Sequence, residues 1–205
     1  PATGSATKTF TITTPGGTSS ASTNVTINKV AQTITWTSSV PATPQVGGTY
    51  TPTATGGASG SPVTFSISTG TAYCSISGGV VSFIGVGTCT VEAAQAADAS
   101  AYYASATRIT QSITVGKGTP TLSAFTNVSK TYGDANFTLT APTSSLAGGT
   151  FAYSSATTGV ASISGSTVTV AGAGTSVITA TYTPTDTTNY NTATITMTIT
   201  VAKAT

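Results

Sequence analysis

The chain has very few ionisable side chains, and this scarcity excludes several functions at once. It holds six Lys or Arg, four Asp or Glu and no His among 205 residues. Without His it lacks the usual general base near neutral pH and the commonest metal ligand. Four scattered carboxylates cannot supply the roughly six to eight oxygens of a calcium site, and a net charge of +2 is too small for a phosphate-binding surface. The sequence therefore predicts no metal site, no cofactor and no nucleic-acid partner.

Catalytic residue sets are missing as well. A serine nucleophile needs a neighbouring base, and the sequence offers no Ser–His pair. Glycoside hydrolysis needs two facing carboxylates. Glu92 and Asp98 are the nearest pair in sequence, and Glu92 is expected on the outward side of its strand, opposite Val91. We predict that the protein is not an enzyme and has no catalytic residues.

The strong helix formers Glu, Lys, Leu and Met are also rare, whereas Thr accounts for 50 residues and Ser for 26. Thr, Val and Ile favour strands, and the positive mean hydropathy of +0.22 argues against disorder. An all-β chain follows. No apolar run approaches the length of a membrane helix, so no membrane insertion is expected. The chain begins at Pro1 without a signal-peptide pattern, which indicates a processed product or a piece of a longer protein.

Internal repetition sets the organisation. CSIS at 74–77 returns as ASIS at 161–164, GVGTCTV at 85–91 as GAGTSVI at 172–178, and SITV at 112–115 as TITV at 198–201. The segment SAYYASAT at 100–107 corresponds to TNYNTAT at 188–194. These matches lie 86 or 87 residues apart. They define two copies of one module, at 30–116 and 117–205, joined end to end through the short linker VGKGTP.

Each module reads as short strands between turns. A strand is expected at 62–68, and a hairpin is expected around Gly78–Gly79, with its counterpart at Gly165–Ser166. The strand QTITW at 32–36 places Ile34 and Trp36 on one side, which favours core packing of this Trp over sugar stacking. From 192 to 200 Thr alternates with apolar residues, which is the period of a strand with one buried face. About seven such strands per module indicate an immunoglobulin-like sandwich.

These motifs resemble the bacterial immunoglobulin-like repeats (Big or MBG type) of large surface adhesins and extracellular fibre proteins. The segment opening with TYTPTATGG and the one opening with KTYGD, which ends in DTTNYNTA, carry the resemblance. It covers about 175 of the 205 residues. It implies tandem immunoglobulin-like β-sandwiches at the cell surface or outside the cell. It implies no ligand, because such repeats mostly act as spacers.

Residues 1–29 form a third segment, too short for a domain. Two strands are expected around Pro15–Gly16–Gly17, with Phe10 and Ile12 sharing a face of the first strand and Val25 and Ile27 sharing a face of the second. An isolated hairpin is marginal in water, so this segment should pack on something. It is either the final hairpin of an upstream module or a donor that pairs with a neighbouring subunit's sheet edge. Both alternatives make Phe10, Ile12, Val25 and Ile27 candidate strand-pairing residues.

Two further candidates are local. Cys74 and Cys89 are replaced together, by Ala161 and Ser176, in the second module, as expected of a disulfide pair. Tyr102 and Tyr103 precede the last strand of the first module; we expect Tyr103 and its counterpart Tyr190 to be buried under the connection between strands, and a recognition surface at Tyr102 and Tyr103 is the alternative.

The function expected is that of an extracellular structural protein, either a stiff stalk or a self-assembling fibre subunit. Its partners would be other copies of itself or neighbouring modules. The alternative is an adhesive module that binds a glycan or a surface through loop aromatics.

Overall fold

The computed structural model describes residues 3–98 and 102–205, and within 3–28 the side chains of 9, 11–18 and 28. It contains strands and turns, and the chain divides into two compact units, 1–115 and 116–205. The strands of the first unit are β1 Thr3–Thr14, β2 Gly17–Asn28, β3 Thr35–Trp36, β4 Thr49–Tyr50, β5 Ala54–Thr55, β6 Val63–Thr69, β7 Cys74–Ser77, β8 Val80–Phe83, β9 Gly87–Gln95 and β10 Ile109–Val115. Those of the second unit are β11 Val128–Thr131, β12 Phe137–Thr138, β13 Thr150–Ser155, β14 Ala161–Ser164, β15 Thr167–Val170, β16 Gly174–Thr183 and β17 Ala193–Ala202.

The second unit is a seven-stranded β-sandwich. One sheet has the order β11-β17-β16-β13 and the other the order β12-β15-β14. Inward positions alternate with outward ones along β16 and β17, so that Ile178, Met197 and Ile199 are buried between the sheets. The alternation expected for residues 192–200 is confirmed, because Thr194, Thr196 and Thr200 are exposed.

The first unit repeats this arrangement, with seven residues in β10 where β17 has ten. Its sheets are β10-β9-β6 and β4-β8-β7, with a separate pair β3-β5. The predicted hairpin at Gly78–Gly79 is present, and both glycines have positive φ (57° and 80°). The strand expected at 32–36 is shorter, because its partner β5 has only two residues and β3 therefore pairs only at Thr35 and Trp36.

A buried side chain holds a neighbouring loop in each unit. Gln95 is 4% exposed, donates to the carbonyl oxygens of Gly57 and Ser61, and accepts from the Gly57 N–H. At the corresponding position of the second unit, the Tyr182 hydroxyl donates to the carbonyl oxygens of Leu146 and Gly148. The fold thus fixes one loop per unit from the end of a central strand.

Replacing Tyr182 by Phe is expected to lower the free energy of unfolding of the second unit by about 1 kcal/mol, because two loop carbonyls lose a buried donor. Hydrogen–deuterium exchange of residues 144–149 in the full chain measures the effect, and this loop should exchange faster. Tyr190→Phe is the matched control, since the Tyr190 hydroxyl makes no hydrogen bond to any described residue. Equal exchange in both variants would contradict the role given to Tyr182.

Candidate functional site

The strongest chemical feature of the first unit is a cross-link between its two sheets. Cys74 on β7 and Cys89 on β9 form the predicted disulfide, with a Cα–Cα distance of 6.0 Å. Both residues are 0% exposed. Since β7 and β9 belong to different sheets, the bond closes the sandwich covalently across its core.

The second unit uses hydrogen bonds at the same place. The Ser176 hydroxyl lies 2.8 Å from that of Ser155 and accepts the Thr157 N–H at 3.0 Å. Ser155 Oγ also donates to the Ala161 carbonyl oxygen. Ser176 is 1% exposed, so the pair Ala161 and Ser176 replaces a covalent link by a buried polar network.

In each unit a loop that contains a tyrosine, Tyr103 in the first and Tyr190 in the second, pairs with the segment where the chain enters the unit. Tyr103 forms a parallel bridge with Val30, in which the Val30 N–H donates to the Tyr102 carbonyl oxygen and the Ala104 N–H to that of Val30. Tyr190 forms the same bridge with Gly118. Tyr103 is half-buried, whereas Tyr102 is 64% exposed. The two recognition candidates therefore differ, and only Tyr102 presents its ring to solvent.

Asp186 orders the tyrosine-containing loop of the second unit. Asp186 accepts hydrogen bonds from the side chain of Asn189 and from the backbone N–H groups of Asn189 and Thr188. The Asn189 side chain, then these backbone donors and the nearby Lys117 charge, hold the pKa of Asp186 below its ordinary value of 3.8. The resulting stabilisation is present above the unfolded pKa and is lost as the pH falls through the folded pKa.

Replacing Asn189 by Ala is expected to raise the pKa of Asp186 towards 3.8, because the carboxylate loses the side-chain hydrogen bond that lowers its pKa most. The measurement is a pH titration of the Asp186 carboxyl by NMR in the full chain. Asn191→Ala serves as the control, since the Asn191 side chain donates to Thr119 instead. An unchanged Asp186 titration in Asn189→Ala would refute the assignment.

The N-terminal segment is a single long hairpin. β1 and β2 pair along their whole lengths, and among the described strands no third one joins them. Ile12 is 66% exposed, while the side chains of Phe10, Val25 and Ile27 lie outside those described. The register pairs Phe10 with Ala21 and Val25 with Ala6, which puts all four candidate strand-pairing positions on one face of the ladder.

The remaining chemistry-bearing residues are structural. Trp36 stacks on Phe65 with ring centroids 5.7 Å apart, and its Nε1 is buried without a hydrogen-bond partner in the described part of the chain. Glu92 pairs with Arg108 at 2.6 Å on the outer side of the sheet. No three of the described Cys, Asp and Glu side chains are grouped to hold a metal ion.

Sheet edges are the feature that sequence reasoning missed. In the second unit β11 covers the outer edge of β17, pairing in parallel from Val128–Ile199 to Thr131–Ala202. In the first unit β10 has β9 on one side and no named strand of the described residues on the other, although Gln45 and Gly116, the residue after β10, each belong to an isolated β-bridge. At the 86- or 87-residue offset of the repeats, Pro44 falls within β11 of the second unit, at Lys130 or Thr131, and proline cannot donate to a ladder. This proline was the available signal.

Comparison with known proteins gives general similarity only. No family model matches the chain, and no curated protein matches. A structure of Drosophila N-cadherin EC1-4 is 13% identical over 98% of this chain and 58% of that one, with a TM-score of 0.32. The surface layer protein SbsC, domains 1-6, is 18% identical over 98% and 35%, with a TM-score of 0.33. Fibronectin(III)-like modules of Clostridium thermocellum CbhA are 17% identical over 83% and 95%, with a TM-score of 0.27.

The chain thus spans 58% of the cadherin structure and 35% of the surface-layer structure that it matches. At such identities and TM-scores these similarities support no statement about partners or activity. In the described part of the chain, no helix has the length and apolarity needed to cross a membrane.

Proposed function

We propose that the protein is an extracellular structural protein in which two immunoglobulin-like modules, 30–116 and 117–205, follow a pairing segment at 1–29. It acts as a stiff stalk or as the subunit of a self-assembling fibre. The observation that carries this proposal is the construction of the sandwiches: each has a buried apolar core and an outer surface of uncharged hydroxyls. The bacterial surface-repeat resemblance of the sequence points the same way.

The outer face of the second unit illustrates the point. Thr175 pairs with Thr200, Thr179 with Thr196 and Thr181 with Thr194 across β16 and β17. Threonine is a strong strand former whose hydroxyl keeps the face wettable without charge. Such a surface suits a structural protein, which depends on its backbone hydrogen-bond ladders and its packed core.

The buried disulfide supports a location outside the cytoplasm, since such bonds form and persist in oxidising compartments. Immunogold electron microscopy of the producing cells, together with imaging of the undenatured protein, tests the proposal. We expect label at or beyond the cell surface and either filaments or discrete rods. Label confined to the cytoplasm would overturn the structural extracellular role.

A second function, adhesion to a glycan or surface, is favoured by one observation, the 64% exposure of Tyr102. Exposed aromatic rings stack on sugars and carry much of the energy at binding surfaces. Tyr102→Ala should then abolish binding in a glycan array without unfolding the chain. Tyr132→Ala, which removes an exposed tyrosine of the second unit, is the control and should leave binding intact.

A further inference from the structure

The second unit contains a cavity at the side of its sandwich where β11 and β12 lie. It has a volume of about 240 Å³ and is bounded by the segments 124–128 and 137–141 and by Met197 of β17, so both sheets contribute to its wall. Phe125 and Phe137 add two aromatic rings to the thioether of Met197. Protein interiors rarely leave spaces much larger than a water molecule, so a cavity of this size needs an explanation.

The first unit closes the same place with hydrogen bonds. The repeat offset of 86 or 87 residues, with which the strand registers agree, makes Ser38 the counterpart of Phe125, Tyr50 that of Phe137 and Gln111 that of Met197. The Tyr50 hydroxyl lies 2.7 Å from Ser38 Oγ and donates to Gln111 Oε1 at 2.7 Å. Gln111 Nε2 donates to the Ser38 carbonyl oxygen at 3.0 Å. The second unit has only apolar side chains at these three positions.

A positive charge lies beside this apolar wall. Lys130 follows Val128 by two residues on β11, so both side chains leave the same face of the strand, and Val128 lines the cavity. Lys130 Nζ lies 4.9 Å from the centroid of the Phe137 ring, and no carboxylate of the described residues forms an ion pair with it. The first unit has Thr43 and Pro44 at this place. The apolar wall and the cation therefore occur together in the second unit alone.

We propose that this cavity binds a small aromatic carboxylate, with its ring against Phe125, Phe137 and Met197 and its acid group at Lys130. A dry apolar cavity of about 150 Å³ is enough to hold benzene, so the space here admits one ring with a short acidic substituent. Aromatic rings and a thioether contact such a ring favourably, and the carboxylate supplies the charge that Lys130 lacks. The site is independent of whether the protein forms stalks or fibres.

Met197 is the single methionine of the chain, which makes its methyl group a unique NMR probe of the cavity. In the full chain with isotope-labelled methionine, titration with benzoate is expected to shift this signal until it saturates. Acetate carries the charge without the ring, so it is the control compound and should leave the signal in place. A signal that benzoate does not shift, or that acetate shifts equally, would overturn the proposal.

The role of the cation is tested with Lys130→Gln. This variant should bind benzoate about tenfold more weakly, because one charge-assisted contact is lost, and should bind neutral benzyl alcohol as the native chain does. Lys203→Gln removes an exposed lysine of the same unit and is the matched control, with no effect on either compound. Equal weakening of both compounds by Lys130→Gln would mean that Lys130 acts only by packing on Phe137, and would refute an acidic ligand.

The location is tested by giving the second unit the residues of the first, with Phe125→Ser, Phe137→Tyr and Met197→Gln combined. Because the methionine is lost, the fluorine NMR signal of a fluorobenzoate reports binding instead. The native chain should broaden this signal, and the triple variant should not, with unchanged circular dichroism. Broadening that persists in the triple variant would place the ligand elsewhere and overturn the proposal. Lys130→Gln leaves the apolar wall intact, so the test does not depend on folding of the triple variant.

Discussion

Replacing Ile199 by alanine is expected to lower the free energy of unfolding of the second unit by about 2–5 kcal/mol. Ile199 is 0% exposed and lies on β17 in the middle of the core, among residues from both sheets. Truncation removes three carbon atoms from a close-packed site that can collapse only in part. Hydrogen–deuterium exchange of β16 and β17 in the full chain, over a series of denaturant concentrations, measures the loss.

Ile113 on β10 is the repeat counterpart of Ile199 and is equally buried, which makes Ile113→Ala the matched variant. The fluorescence of Trp36, the single tryptophan, reports on the first unit alone. Ile113→Ala should shift this fluorescence transition, and Ile199→Ala should leave it in place. If Ile199→Ala shifts it by a similar amount, the two units do not unfold separately, and the proposed division into modules 30–116 and 117–205 loses its energetic meaning.

The elements that sequence predicted well are those fixed by neighbours in the chain. The hairpin at Gly78–Gly79 needs two residues with positive φ between two strands of alternating pattern, and both the glycines and the pattern can be recognised from adjacent residues. The same holds for β17, whose period of two separates Thr196 from Met197. The disulfide could be predicted because the two repeats can be compared, and both cysteines are replaced together in the second.

The features that sequence did not predict depend on contacts distant in the chain. Gln32 donates to the Ala104 carbonyl oxygen and accepts the Ser59 N–H, and neither partner is marked by a motif. The short β3 and the absence of a second named partner strand for β10 among the described residues depend on which segment lies alongside. Pro44 has meaning only when residues 41–45 are compared with the strand that pairs in the second unit. Whether a strand lies at the edge of a sheet depends on which distant segment pairs beside it, and a single sequence indicates this only indirectly.

Removing the disulfide with Cys74→Ala and Cys89→Ala is expected to lower the free energy of unfolding of the first unit by about 3 kcal/mol. The bond closes a loop with a sequence separation of 15, and in the chain-entropy model its loss frees the unfolded state. Denaturant unfolding of the full chain, followed through Trp36 fluorescence, gives the value. The folded state should retain its strands, because both ladders of β9 remain.

Reduction of the native chain by a thiol reagent under unfolding conditions is the independent control, and it should reproduce the shift seen in the double variant. The second unit provides the internal reference, since Ala161 and Ser176 stand in place of the cysteines and its stability should be insensitive to the reagent. A first unit no less stable without the bond would mean that packing around Val81 and Val91 already holds the two sheets together. The covalent link would then act chiefly against proteolysis or mechanical load, through the rate of unfolding instead of its free energy.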